Sequence, residues 1–212
     1  MIIKNFPSGP FETNAYVVAC SHSRKAMIVD PAPASFNALI AYIAEQNLHP
    51  IIIVLTHSHW DHIADTSLLK AHYHIPVAIH PLDTPNLQKP GSDGLPCWID
   101  IQGVEPDRLL NENEIVEIGD MKFDVIHTPG HTPGSICLYC PAEQMLISGD
   151  TLFKGTIGNL SFPTSVPDQM WSSLQKLAKL PPSTRVFPGH GPSTTIDAEH
   201  WLARAKEIFG NY

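Results

Sequence analysis

Apolar residues recur along the chain with two different spacings, and these spacings predict both strands and helices. Three strands are predicted near the N-terminus, at residues 1–6, 14–20 and 25–29. Asp30-Pro31 ends the third, because proline cannot continue a strand ladder. The next apolar residues have the i, i+3, i+4, i+7 spacing of a helix with one buried face: Phe36, Leu39, Ile40 and Ile43. Residues 51–55 are all apolar, as is typical of a strand that is covered on both faces.

The rest of the chain continues this mixture of strands and helices. A helix is predicted from about residue 62 to 73, and further helices follow Pro167 and cover about 198–209, the last with Gly210 as its C-cap. Further strands are predicted at residues 76–79, 114–118, 121–127, 135–140, 145–148 and 184–187. Residues 81–113 are rich in Pro, Gly and Asp and indicate loop with at most one short helix. Hairpin-like strand pairs in both halves favour an α/β fold of two mixed sheets flanked by helices.

Length and charge restrict the classes of function. The 212 residues fit one domain, 1–212, and the net charge of −8 argues against a nucleic-acid partner. The longest strongly apolar run, 51–55, is far shorter than the ~18 residues of a membrane-spanning helix. Because the N-terminus does not resemble a signal peptide, we expect a cytoplasmic protein with no membrane contact. The sequence does not indicate an oligomeric state.

The candidate chemistry begins directly after the buried strand at 51–55. His57, His59, Asp61 and His62 lie within six residues, a density of polar groups that packing does not explain. Burying four such groups together is costly unless a metal ion compensates them, and imidazole nitrogen and carboxylate oxygen are common ligands of zinc and related ions. One tetrahedral ion cannot use all four groups and still keep an open position, so the cluster predicts two ions.

Three further segments each place one histidine or aspartate just beyond a predicted strand, beside glycine. These residues are His131, Asp150 and His190. Glycine allows the backbone to turn sharply at such positions. Any one segment is a weak signal, but together with the first cluster they form a strong one.

These seven residues, in this order, resemble the complete metal-binding motif of the metallo-β-lactamase superfamily. The resemblance extends from Asp30-Pro31 to Gly191 and implies an αββα sandwich with two metals in a cleft at one edge of the sheets. It implies that the first metal is held by His57, His59 and His131, the second by Asp61, His62 and His190, and that Asp150 bridges them. Asp61 and Asp150 are the expected catalytic residues.

The expected reaction is hydrolysis by a hydroxide that bridges two divalent ions, most simply zinc, with iron or manganese as alternatives. A thiolate leaves without a dedicated acid, and no extra general acid is evident, which is compatible with a thioester substrate. Within the superfamily, residues 148–155 and 187–191 resemble the short, single-domain branch of glyoxalase II, whose members hydrolyse hydroxyacylglutathione thioesters. The expected partner is therefore a small-molecule acyl thioester.

Several alternatives stay open at this level. Asn159-Leu160-Ser161 stands where the short branch and persulfide dioxygenases usually have Arg-Thr-Asp, which leaves glutathione recognition undecided. An iron-dependent persulfide dioxygenase, another ester or lactone hydrolase, and a non-catalytic metal-binding module are the alternative functions. The best-known β-lactamases have cysteine where Asp150 stands, which counts against that activity.

Four residues outside the motif receive weaker expectations. Asp30 either anchors a ligand histidine or is a plain turn residue. We expect a structural role for His127 and an exposed loop position for His80, and Lys154 is a candidate for contact with an anionic substrate.

Overall fold

Two six-stranded sheets form the centre of the computed structural model, which describes residues 1–210. The first sheet contains, in spatial order, β1 (Ile2–Ser8), β2 (Thr13–Ala19), β3 (Lys25–Val29), β4 (His49–Val54), β5 (Val77–Ile79) and β6 (Arg108–Leu109). The second contains β12 (Thr194–Thr195), β11 (Arg185–Pro188), β10 (Met145–Gly149), β9 (Ile136–Cys140), β8 (Met121–His127) and β7 (Ile115–Ile118). Each sheet has parallel and antiparallel neighbours, as the sequence predicts.

Helices cover the outer faces of the sheets. The α-helices are α1 (Phe36–Glu45), α2 (Trp60–Ile63), α3 (Thr66–Tyr73), α4 (Thr84–Gln88), α5 (Pro167–Leu177) and α6 (Ala205–Phe209). Short 3₁₀ turns occupy Pro81–Asp83, Pro141–Glu143 and Leu202–Arg204. In the part of the chain described, none of the helices has the length and apolar character needed to cross a bilayer.

Strand β2 shows how alternation builds the layers, since all seven of its residues are buried. Tyr16 and Val18 point between the two sheets, where they join a cluster that includes Phe123 of β8. Ala15 and Val17 point the other way, into a cluster that includes residues of α1 and α3. Because successive side chains in a strand face opposite sides, one strand contributes to both apolar layers.

The predicted helix at 62–73 is wrong in one respect, because the structure divides it into α2 and α3. The break lies at Ala64 and Asp65, where the Asp65 N–H bonds the Pro31 carbonyl at 3.0 Å instead of continuing the helix. The Asp65 carboxylate also accepts the N–H of Phe36 at 2.8 Å. Contacts with the loop before α1 therefore replace the local helical hydrogen bonds.

The predicted closing helix also begins later than expected, as a 3₁₀ turn at Leu202 that leads into α6, although Gly210 is its C-cap. Glu199 is buried in the preceding segment and accepts hydrogen bonds from the Gly155 N–H, the Thr194 hydroxyl and the Trp201 indole. The bond from Gly155, which is remote in the chain, and the two local bonds together favour a turn over a continuous helix. The two-residue strands β6 and β12 are not predicted by the sequence pattern.

The topology places several strand ends at one edge of the molecule. Strand β8 is antiparallel to β9, β9 is antiparallel to β10, and β10 is parallel to β11, so the carboxyl ends of β8, β10 and β11 lie on the same side. The Ile136 N–H bonds the Thr56 carbonyl at 2.9 Å, which ties the loop after β4 to this edge. The loops that follow β4, β8, β10 and β11 are therefore brought together.

Candidate metal centre

The side chains singled out in the sequence come from these strand-end loops. His57 and His59 lie in the extended segment after β4, and His59 is the N-cap residue of α2 with φ −58° and ψ 143°. Asp61 and His62 follow on the first turn of α2. The loops after β8, β10 and β11 contribute His131, Asp150 and His190, respectively. All seven residues converge at one edge of the two sheets.

One group of side chains consists of His57, His59 and His131, all buried. One nitrogen of each ring lies within 4.8 Å of the others, which is close enough for all three to contact a common ion. The Nε2 atoms of all three rings are buried without a hydrogen-bond partner in the described residues.

The second group consists of Asp61, His62 and His190, whose candidate ligand atoms also lie within 4.8 Å of one another. The Nε2 atoms of His62 and His190 are 3.3 Å apart, and His190 Nε2 is 3.3 Å from Asp61 Oδ2. The carboxylate of Asp150 lies between the two groups. Its Oδ2 is 3.4 Å from both His131 Nε2 and His190 Nε2, and its Oδ1 is 3.4 Å from His62 Nε2.

Hydrogen bonds on the outer side of the rings fix which nitrogen faces the centre. His131 Nδ1 donates to the Asn159 carbonyl at 2.8 Å, and His190 Nδ1 donates to the Phe11 carbonyl at 3.0 Å. A carbonyl can only accept, so Nδ1 carries the proton in both rings and Nε2 keeps its lone pair in the neutral form. His62 Nδ1 is held in the same way by Asp30 Oδ2 at 3.0 Å.

Asp30 is the anchor that the sequence left undecided. Its carboxylate accepts the Thr56 N–H at 2.7 Å, the Thr56 hydroxyl at 2.6 Å and the ring of His62. Because the Thr56 hydroxyl proton goes to Asp30, the Thr56 oxygen is free to accept from His57 Nδ1, 3.1 Å away. Asp30 adopts φ +49°, a left-handed conformation that aspartate tolerates better than most residues. It therefore orients two of the candidate ligands from behind.

The electrostatics suit a cationic ligand. Burial lowers the pKa of His57 and of His59 well below the ordinary value, and the neighbouring histidines lower the pKa further, so both rings are neutral. Burial alone would raise the pKa of Asp150, but His62 and His190 lower it to about 2. Burial lowers the pKa of His62, yet the Asp61 and Asp150 carboxylates outweigh this effect and raise it to about 9. The carboxylates therefore attract positive charge, which bound cations would supply while displacing protons.

The donor groups of this site suit divalent cations, and one observation of the structure supports this. Four donor atoms are buried without a hydrogen-bond partner among the described residues: Nε2 of His57, His59 and His131, and Oδ1 of Asp150. A buried polar atom without a partner costs about 1–3 kcal/mol, and four in one place indicate a missing common partner. Nitrogen and oxygen donors suit zinc, iron and manganese alike.

Two positioning residues were missed in the sequence, and Asp83 is the first. It lies in the segment 81–113 and accepts hydrogen bonds from the Ser58 N–H and the Gly134 N–H, at 2.8 and 2.7 Å. It lies beyond β5 but has no neighbouring glycine, so the rule that found His131 and Asp150 did not select it. The second is Thr13, whose hydroxyl donates to Asp61 Oδ2 at 2.7 Å and which no local signal marks.

A cleft of about 480 Å³ opens over the candidate metal-binding side chains. Its floor contains His59, Asp61, His131, Asp150 and His190. Its walls are formed by Phe11, Trp60, Leu95, Pro96, Trp98, Phe153, Asn159 and Phe162. A pocket of this size accommodates a small molecule.

The remaining expectations have mixed outcomes. His80 is only 6% exposed and its ring stacks on that of His127 at 4.1 Å, so the expected exposed position is wrong. His127 Nε2 lies 2.8 Å from the Pro133 carbonyl, in agreement with a structural role. Lys154 lines a different surface groove, together with Arg185, and is not among the residues that line the cleft.

Comparisons with known proteins agree with this architecture. A family model described as the metallo-beta-lactamase superfamily matches residues 8–190. Hydroxyacylglutathione hydrolase GloC from Haemophilus influenzae is 32% identical over 206 residues, which cover 94% of this chain and 95% of that protein. A solved structure described as BLEG-1 B3 metallo-beta-lactamase is 36% identical with a TM-score of 0.87, covering 95% of this chain and 100% of that one. Another, TTHA1623 in a di-iron-bound form, is 36% identical with a TM-score of 0.81, covering 95% and 98%. The predicted fold of two mixed sheets flanked by helices is thereby confirmed.

Proposed function

The chain belongs to the metallo-β-lactamase superfamily, and from this premise we propose that it is a binuclear metallohydrolase that cleaves acyl thioesters. Hydroxyacylglutathione is the thioester type that a relative's description names, and it is the first substrate to test. Zinc is the proposed metal. Iron is the alternative, because a structure 36% identical to this chain is described in a di-iron-bound form.

One observation carries the proposal of hydrolysis. Seven histidine and aspartate side chains from four separate loops meet beneath a cleft, and four of their donor atoms are buried without a partner in the described residues. His57, His59 and His131 would hold one cation, Asp61, His62 and His190 the other, and Asp150 would contact both. When bound, the two cations would supply a nucleophile from water at neutral pH and positive charge for the oxygen of the attacked carbonyl.

The cleft favours a thioester over an ester or an amide. Every titratable residue that lines the cleft in the described chain belongs to the proposed metal-binding set. No separate group is thus positioned to protonate an alkoxide or an amine as it leaves. A thiolate, with a pKa of about 8.5, departs without such a proton donor. Asp30, Thr13 and Asp83 meanwhile hold the metal-binding side chains in place through the hydrogen bonds described above.

The test is a thiol-release assay on protein loaded with two equivalents of zinc. S-Lactoylglutathione and an uncharged thioester, hexanoyl-N-acetylcysteamine, are compared. We expect turnover that a chelator abolishes, and a loss of at least about 100-fold in Asp61→Asn and Asp150→Asn, the range expected when binding groups of a catalytic metal are removed. Asp65→Asn is the matched control, because Asp65 is also buried but contacts Phe36 and Ser35 rather than the metal-binding loops. Zinc-loaded protein that releases no thiol from either compound would contradict the proposal.

Two other activities belong in the same assay panel. β-Lactam hydrolysis is included because a structure 36% identical to this chain is described as a B3 metallo-beta-lactamase. We expect thioesters to be preferred over nitrocefin, since the amine leaving group of a β-lactam needs a proton. Iron-loaded protein is tested with a persulfide in an oxygen electrode, and oxygen uptake without thioester cleavage would favour the dioxygenase alternative.

A further inference from the structure

The walls of the cleft are made largely of aromatic rings, two of which are open to solvent. Trp98 is 72% exposed and Phe11 is 49% exposed, and both line the cleft. Exposed apolar surface concentrated at one site of a soluble protein commonly marks a place where a ligand binds. These rings therefore bear on which substrate the site accepts.

Three of the rings form one connected surface. The centroid of Phe11 lies 5.4 Å from that of Trp60 and 6.3 Å from that of Trp98, and the two tryptophans are 5.8 Å apart. Trp60 lies between His59 and Asp61 in the sequence, and the Phe11 carbonyl holds His190. The three-ring surface of Phe11, Trp60 and Trp98 is thus built directly onto the proposed metal centre.

Two further rings contact the proposed metal-binding histidines themselves. Phe162 lies 5.3 Å from the ring of His59 and 5.6 Å from that of His131. Phe153 lies 5.9 Å from His190. Apolar groups therefore border the centre at several points around the cleft.

The charges of the cleft are restricted to its floor. Among the described residues that line it, none is lysine or arginine, and the only carboxylates are Asp61 and Asp150 of the proposed metal centre. Lys154 and Arg185 line a separate groove. Position 159, on the cleft wall, is a neutral and exposed asparagine. Glutathione carries two carboxylates, and the wall residues that the structure describes provide no cation for them.

We propose that the part of the substrate outside the reacting carbonyl is apolar and uncharged, an aliphatic or aromatic group that packs against the three-ring surface, and that glutathione is discriminated against. This inference rests on the proposed function as far as the reaction is concerned. The choice of substrate rests on the rings and on the absence of cations from the cleft walls, so the two can be tested separately.

The test uses thioethers, which bind but cannot be hydrolysed. S-Hexyl-N-acetylcysteamine and S-hexylglutathione carry the same alkyl group on an uncharged and a charged carrier. Isothermal titration calorimetry on the zinc-loaded protein is expected to show at least about tenfold tighter binding of the uncharged compound. Trp98→Ala is expected to weaken that binding about tenfold, equivalent to about 1.4 kcal/mol. Asn159→Arg is expected to strengthen binding of S-hexylglutathione several-fold by adding a cation to the cleft wall.

The matched control is Ile208→Ala, because Ile208 is 51% exposed and apolar but lies on α6, outside the cleft. Equal or tighter binding of S-hexylglutathione by the unaltered protein would overturn the proposal, and so would an equal loss of binding in Ile208→Ala and Trp98→Ala. A dimer in sedimentation that Trp98→Ala dissociates, without binding of either thioether, would also overturn it by making the rings an interface between copies. Tight binding of the uncharged thioether with no thioester turnover would support this substrate preference while contradicting the proposed reaction.

Discussion

Asp83 joins the two loops that carry the first group of proposed metal-binding histidines. Its Oδ2 accepts the Ser58 N–H at 2.8 Å and the Thr132 hydroxyl at 2.9 Å, and its Oδ1 accepts the Gly134 N–H at 2.7 Å. Ser58 lies between His57 and His59, and Thr132 follows His131. We therefore predict that Asp83 is a positioning residue whose replacement weakens metal binding more than it weakens the fold.

The size of the effect follows from these three hydrogen bonds. Asp83→Ala leaves three buried donors without an acceptor, at about 1–3 kcal/mol each, so a loss of about 3–9 kcal/mol in the free energy of unfolding is expected. That is a large share of the ~5–15 kcal/mol typical of a domain. Asp83→Asn keeps one acceptor oxygen and places an amide against one donor. Burial raises the pKa of Asp83 although the bonds from Thr132, Ser58 and Gly134 lower it, so the ionised carboxylate carries a cost at neutral pH that asparagine avoids. A net loss of about 1–2 kcal/mol is expected for Asp83→Asn.

The assay measures zinc affinity by competition with a chelating indicator and stability by urea unfolding of the metal-free protein. Asp83→Asn is expected to weaken one of the two zinc sites by about 10–100-fold, as is typical when a group that orients a metal ligand is altered. Asp65→Asn serves as the control, because Asp65 is buried, accepts the Phe36 N–H, and has a pKa raised by burial. Two zinc sites of unaltered affinity in Asp83→Asn, together with the expected loss of stability, would refute the positioning role and leave only a structural one.

Three further predictions test other parts of the site. Thr13→Val removes the hydroxyl that donates to Asp61. Zinc affinity, measured by the same competition with a chelating indicator, should fall about 10–100-fold at one site, and unchanged affinity would be evidence against the contact. Chelation should lower the free energy of unfolding by about 2.7 kcal/mol relative to protein held at a metal concentration 100 times Kd, and equal melting temperatures with and without chelator would contradict metal binding by the folded state. Burial and His127 lower the pKa of His80 from 6.5 to about 4, so the folded state binds this proton more weakly than the unfolded state. Stability contributed by neutral His80 is therefore complete above about pH 6.5 and is lost as the pH falls through about 4. His80→Gln should flatten the dependence of the urea midpoint on pH within that window, and an unaltered slope would contradict this account.

A site residue could be predicted from the sequence only where its residue type and its neighbours in the chain are unusual. His57, His59, Asp61 and His62 stand out because their density after a buried strand has no packing explanation. Asp83 follows β5 in a similar way, but it has a common residue type in a segment of irregular pattern, so nothing local distinguishes it. The burial of His80 was predicted wrongly for a related reason, since the ring that covers it, His127, is far away in the chain.

What the sequence determined by itself was the set of strands and the order of chemically unusual residues at their ends. The apolar run at residues 51–55, for example, already predicts a strand that is covered on both faces. In the structure Ile52 and Val54 join one apolar cluster and Ile53 the other, because successive side chains point to opposite sides. Only the tertiary structure decided that Asp150 approaches histidines from three other loops, that Thr13 bonds Asp61, and that Trp98 meets Phe11. The spacing of apolar residues indicates which side of an element is buried. Distances between remote side chains depend instead on how the two sheets pack and on the path of each loop.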